Sequence, residues 1–118
     1  ESGIPYFKTM DEYISISHSN TYSSLAISDF SVGIDVEDIN IKTNSQNLLR
    51  FFTENEQKEI ENRASTLEIW TKKEAYTKID GNGVIEIHKG FDVLSVENHD
   101  FQTEKINEYV LTICERIK

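Results

Sequence analysis

The chain has 118 residues, with 21 acidic against 12 basic side chains and a net charge of −9. That length suits a single domain with one modest core, and the net charge argues against a nucleic-acid binder that relies on phosphate contacts. No apolar run approaches the roughly 18–20 residues of a membrane span, no signal peptide is visible, and one cysteine, Cys114, permits no internal disulfide. One domain over residues 1–118, in a reducing cytoplasm, is the expectation. The charge is uneven: residues 42–78 carry seven bases against six acids, while both flanks are strongly acidic. Only that middle segment offers an acidic partner an approach without strong repulsion.

A short apolar opening, Ile4 to Phe7, contains the single proline, Pro5. From Tyr13 to His18 the pattern alternates, with Ile14, Ile16 and His18 on one side and Tyr13, Ser15 and Ser17 on the other, which predicts a strand. Ser19-Asn20-Thr21 reads as a turn and Tyr22 to Ser28 as the returning strand. Val32 to Glu37 is a third, so residues 13–37 are expected to form a three-strand meander.

The middle of the chain is helical in pattern. Asn44 to Phe52 and Thr53 to Arg63 read as two short helices, the second opened by a capping box of Thr53 and Glu56. A longer helix is expected over about Thr66 to Ile79, with Thr66 as N-cap and Gly81 closing it. On it, Leu67, Trp70, Glu74 and Lys78 follow 3-4-4 spacing and share a face. Beyond Gly83 the period returns to two over Val84–Ile87, Phe91–Val96, Phe101–Lys105 and Tyr109–Glu115, with turns between them. Strands, then helices, then strands predict an α+β fold: an antiparallel sheet packed against one long helix and shorter ones.

Few residues stand out chemically. In Val32–Glu37 the alternation sets Asp35 and Glu37 side by side on one face. Joined by Glu74 they would make an all-oxygen cluster suited to Mg²⁺; alternatively they form an acidic solvent face. Glu74 and Lys78 are equally readable as an exposed i,i+4 pair. His18 and Ser19, at a strand end beside turn amides, can bind phosphate or can be an ordinary surface turn. No nucleophile elbow, Walker loop, dinucleotide fingerprint or zinc spacing is present.

In combination the pieces carry more. Ile16-Ser-His-Ser19, Val32-Gly-Ile-Asp-Val-Glu-Asp-Ile39, Arg50-Phe-Phe-Thr-Glu-Asn-Glu56, Trp70-Thr-Lys-Lys-Glu-Ala-Tyr-Thr-Lys78 and Gly81-Asn-Gly83 stand in the order found in Sfp-type 4′-phosphopantetheinyl transferases, which the chain resembles from about Pro5 to Gly83. The resemblance implies transfer of the phosphopantetheine arm of coenzyme A to a serine of an apo acyl or peptidyl carrier protein, releasing adenosine 3′,5′-bisphosphate. It implies that Asp35, Glu37 and Glu74 bind Mg²⁺ across the coenzyme A pyrophosphate and that His18 and Ser19 contact its phosphates. Lys78 would neutralise the transferred phosphoryl group, and Lys73 would lie at the phosphate or carrier side of the cleft. Glu56 or Glu74 would serve as base, and Phe51 and Phe52 would belong to a carrier-docking surface.

The chain differs from that family in size. Sfp-type proteins have two similar lobes with the site between them, and this chain matches the second lobe and the hairpin leading into it. The implied consequence is a homo-oligomer whose cleft a second subunit completes. The alternative is a catalytically impaired single-lobe relative or fragment that binds coenzyme A or a carrier protein without turnover.

Overall fold

The computed structural model describes residues 6–9, 12–19, 22–40, 48–80 and 91–117. The Ile4–Phe7 opening, the turn at 19–21 and the 44–52 helix lie partly outside them, and Gly81, Gly83 and the strand expected at 84–87 lie wholly outside. In chain order the elements are β1 (Tyr6–Thr9), β2 (Glu12–Ser19), β3 (Tyr22–Ser28), β4 (Val32–Asp38), α1 (Glu54–Gln57), α2 (Arg63–Asp80), a 3-10 turn (Val93–Ser95), β5 (His99–Ile106) and β6 (Tyr109–Arg116). This is the expected α+β lobe, one long helix against antiparallel strands. No helix among the described residues is long and apolar enough to cross a membrane.

Among the described residues the strands form two sheets, ordered β1-β2-β3 and β4-β6-β5, and every pairing is antiparallel. The meander expected over 13–37 is therefore corrected. β2 and β3 do make a hairpin, but β4 leaves them to pair with β6 near the C-terminus, Ile34 opposite Ile113. What separates them is chemistry at the edge of β4. Its Ile34 and Val36 N–H groups donate to the hydroxyls of Ser15 (3.1 Å) and Ser17 (3.2 Å), so serine side chains replace a backbone ladder between β2 and β4.

This also decides which side of β2 faces inward. Ser15, Ser17 and Ser19 are buried, while His18 is exposed and Ile14 and Ile16 are only half-buried. Small side chains let the hairpin lie close over β4, where Ala26 joins Val32, Ile34, Val36 and Leu111 in the core. The outer face, with Leu25 and Ile27 each 55 % exposed, is left apolar and open.

α2 covers the other face of the second sheet. Ala75 and Ile79 pack on Cys114, and the hydroxyls of Thr71 and Thr103 both meet that of Thr112 (2.7 and 2.8 Å). The helix begins at Arg63 rather than near Thr66. Asn62 Oδ1 accepts from the Ser65 N–H (2.9 Å), which is the work of an N-cap, and Thr66 instead sends its hydroxyl back to the Asn62 carbonyl (3.0 Å). The capping box at Thr53 and Glu56 is present as expected. It opens only a four-residue helix, not one reaching Arg63. At 91–96 the expected strand is a 3-10 turn, because Asp92 accepts from the Leu94 N–H and curls the chain.

Candidate active site

Gly33 fixes how near α2 comes to β4. A Cβ there would stand 2.0 Å from the Ala75 carbonyl oxygen and 3.2 Å from Lys78 Cβ, so only glycine permits the contact. The approach brings Glu74 and Lys78, on either side of Ala75 along the helix, to the Asp35 and Glu37 end of β4.

Lys78 Nζ donates to the Ile34 carbonyl (2.7 Å) and, at longer range, to that of Ile16 (3.4 Å), and it lies 3.8 Å from Asp35 Oδ1. One ammonium thus ties α2, β4 and β2 together. Asp35 is 5 % exposed. Its Oδ1 accepts from the Ser17 hydroxyl (3.4 Å), while Oδ2 is buried without a hydrogen-bond partner among the described residues.

The electrostatics of this corner are adverse. Burial, then the neighbouring Glu37, push the Asp35 carboxyl well above the ordinary carboxylate range, and Glu74 adds to the rise while Lys78 opposes it. Burial likewise raises Glu37, with the adjoining Asp35 carboxyl opposing the rise, Glu74 adding to it and the Lys78 charge opposing it. Three carboxylates therefore sense one another here. A divalent cation would relieve the repulsion and supply the partner Asp35 Oδ2 lacks, so the donors fit a hard metal ion in kind. Among the described residues no three acidic, histidine or cysteine side chains are already gathered in a metal-ligating group.

The remaining sequence-singled residues lie elsewhere. Lys73 and Glu56 are fully buried and paired with each other, Nζ 2.7 and 2.9 Å from the two carboxylate oxygens. The ammonium also donates to the Phe91 carbonyl (2.6 Å) and sits over the rings of Phe91 and Phe52. Glu56 accepts from the N–H groups of Thr53 (2.9 Å) and Val93 (2.6 Å). Burial draws the Lys73 pKa down, and Glu56 partly offsets it. The pair joins α1, α2 and the 91–95 segment inside the core, on a different side of α2 from Glu74 and Lys78. Phe52 is buried with Ile69 and Val93, and Phe51 is half-buried against Trp70. His18 and Ser19 point to opposite faces of β2, His18 to solvent and Ser19 inward.

Ser17 is the site residue that sequence reasoning missed. The signal that could have found it is the alternation of Ser15, Ser17 and Ser19 along one face of β2.

The α+β lobe thus presents a strand Asp-x-Glu to a helix Glu-x-x-x-Lys, in contact through one glycine. Residues 31–116 match the model of the 4′-phosphopantetheinyl transferase superfamily, and the chain belongs to that superfamily. It is 40 % identical over 93 residues to the 4′-phosphopantetheinyl transferase gsp of Aneurinibacillus migulanus, a match covering 71 % of this chain. The chain spans 37 % of that relative's length.

Proposed function

We propose that the chain transfers the 4′-phosphopantetheine group of coenzyme A to a serine of an apo acyl or peptidyl carrier protein, with Mg²⁺, releasing adenosine 3′,5′-bisphosphate. The observation that carries this reading is the juxtaposition of Asp35 and Glu37 on β4 with Glu74 and Lys78 on α2. Family membership supports the reaction class.

In the proposed step the serine hydroxyl attacks the pantetheine-side phosphorus of the pyrophosphate. A new P–O bond forms as the bond to the adenosine bisphosphate oxygen breaks, and the serine proton passes to a carboxylate. Asp35, Glu37 and Glu74 would hold the cation, which when bound supplies the positive charge that polarises the pyrophosphate. Lys78, already at the β4 edge, adds a second positive charge where the phosphoryl oxygens gather charge.

Of the two candidate bases, Glu74 is favoured, since both Glu56 oxygens are already spent on Lys73 and backbone amides. Glu56 and Lys73 act on the site through the fold. Ser19 faces β4 and suits phosphate contact better than His18, which belongs to the opposite face. The neutral-to-basic middle segment suits docking of an acidic carrier.

Self-association belongs to the same proposal. A second subunit would complete the cleft, and the exposed Leu25 and Ile27 face on an otherwise acidic chain supports association as such. A cytoplasmic setting also belongs to the proposal, consistent with a lone, buried cysteine.

A second reading takes the chain as a catalytically impaired single-lobe relative or fragment. On that reading it binds coenzyme A or a carrier without turnover. Incubation with coenzyme A, Mg²⁺ and a panel of apo carriers separates the two. Mass gain by a phosphopantetheine on any carrier supports transfer; retained coenzyme A binding with no mass gain on every carrier supports the binding module.

A further inference from the structure

The two oxygens of Asp35 meet different surroundings. Oδ1 faces the Ser17 hydroxyl and the Lys78 ammonium, while Oδ2 is buried with no hydrogen-bond partner among the described residues. The Ser17 hydroxyl is itself constrained. It accepts from the Val36 N–H, so its single proton is directed away from that bond and toward Asp35. The Ser17 carbonyl is held in turn by the Ser24 hydroxyl (3.3 Å). Two residues earlier, Ser15 caps the Ile34 N–H in the same way. Ser15 therefore performs the same structural task as Ser17 at the β2–β4 junction, and only Ser17 is seen to reach the carboxylate.

We propose that Ser17 is a positioning residue of the site: by engaging Asp35 Oδ1 from the β2 side, it fixes the carboxylate rotamer that leaves Oδ2 to a divalent cation. This rests on the metal reading above. A ligating carboxylate whose second oxygen is held by a neighbouring hydroxyl keeps its orientation without the cation, and loss of such partners weakens metal affinity about 10–100-fold.

The test compares Ser17→Ala with Ser15→Ala, reading the Mg²⁺ concentration that gives half of the rise in melting temperature, each variant measured against its own metal-free value. Both variants should lose metal-free stability, since each uncaps one β4 amide. Ser17→Ala should raise the half-saturating Mg²⁺ about tenfold or more, and Ser15→Ala should leave it within twofold of the unmodified chain. Equal half-saturation in the two variants overturns the role of Ser17 while leaving the metal reading intact. No Mg²⁺ response in the unmodified chain overturns both. Ser17→Cys, close in shape but with a weak S–H donor, serves if the alanine variant fails to fold. It too should raise the half-saturating concentration, and an unchanged value overturns the proposal.

Discussion

Gly33 and Ala75 are in main-chain contact: the space a Gly33 side chain would occupy is filled by the Ala75 carbonyl, 2.0 Å from the Cβ position. The strand acids and the helix Glu74 and Lys78 are neighbours because of this. Gly33→Ala must push the helix away. The cost in stability is about 1–3 kcal/mol, as for overpacking elsewhere. Transfer should fall by much more than stability, because Lys78 and Glu74 are moved from Asp35. Thermal melts alongside single-turnover transfer check this; a variant with normal turnover would mean that the contact does not position the site.

The Lys73–Glu56 pair makes a separate prediction. Lys73→Met leaves a carboxylate buried without its cation and should cost about 3–5 kcal/mol. Removing both charges, as Lys73→Met with Glu56→Gln, should recover much of the loss. Denaturant titration of the single and double variants reads this directly. If the single variant were as stable as the unmodified chain, the pair would not be the internal tie described above.

The acidic corner gives a pH dependence. Asp35 and Glu37 are raised by burial, so the folded state holds their protons more tightly than the unfolded chain does. Their adverse contribution is absent below the ordinary carboxylate pKa and grows as pH climbs from there through the raised values. Asp35→Asn, which imitates the protonated form, should therefore gain stability relative to the unmodified chain as pH rises toward neutrality. Mg²⁺ should raise the melting temperature of the unmodified chain and not of the variant. Melting curves across the acid-to-neutral range, with and without the ion, test both statements. A stability difference independent of pH would contradict the assignment.

The open face of the hairpin bears on assembly. If self-association runs through it, Leu25→Lys with Ile27→Lys should shift the chain to monomer in sedimentation and lower transfer. Unaltered association would move the interface elsewhere.

Much of this was legible in the residues. The β2–β3 hairpin and the β5–β6 pair follow from alternation, and the Thr53–Glu56 box marks its helix start. Asp35 and Glu37 share a strand face as the period of two requires. The faces were harder. Alternation favours Ile14 and Ile16 as the buried side of β2, yet the serines are buried, because the β4 edge needs hydrogen-bond acceptors and close packing needs small side chains. That demand arises between elements distant in sequence, and alternation by itself does not announce it. Lys73 reads as a surface charge beside Glu74, although Thr66, Ile69, Lys73 and Thr77 repeat the same 3-4-4 spacing on a buried stripe. Its partner Glu56 was already spoken for in the capping box. The 91–96 run is apolar enough for a strand, and the local Asp92 side chain turns it instead.

The central claim is that the helix acid joins the strand pair at one cation. Calorimetric titration of Mg²⁺, with coenzyme A present, into the unmodified chain and into Glu74→Ala tests it most directly. Mg²⁺ should bind the unmodified chain, and its affinity should fall about tenfold or more in Glu74→Ala and by a similar factor in Asp35→Ala. Undiminished affinity in Glu74→Ala would contradict it.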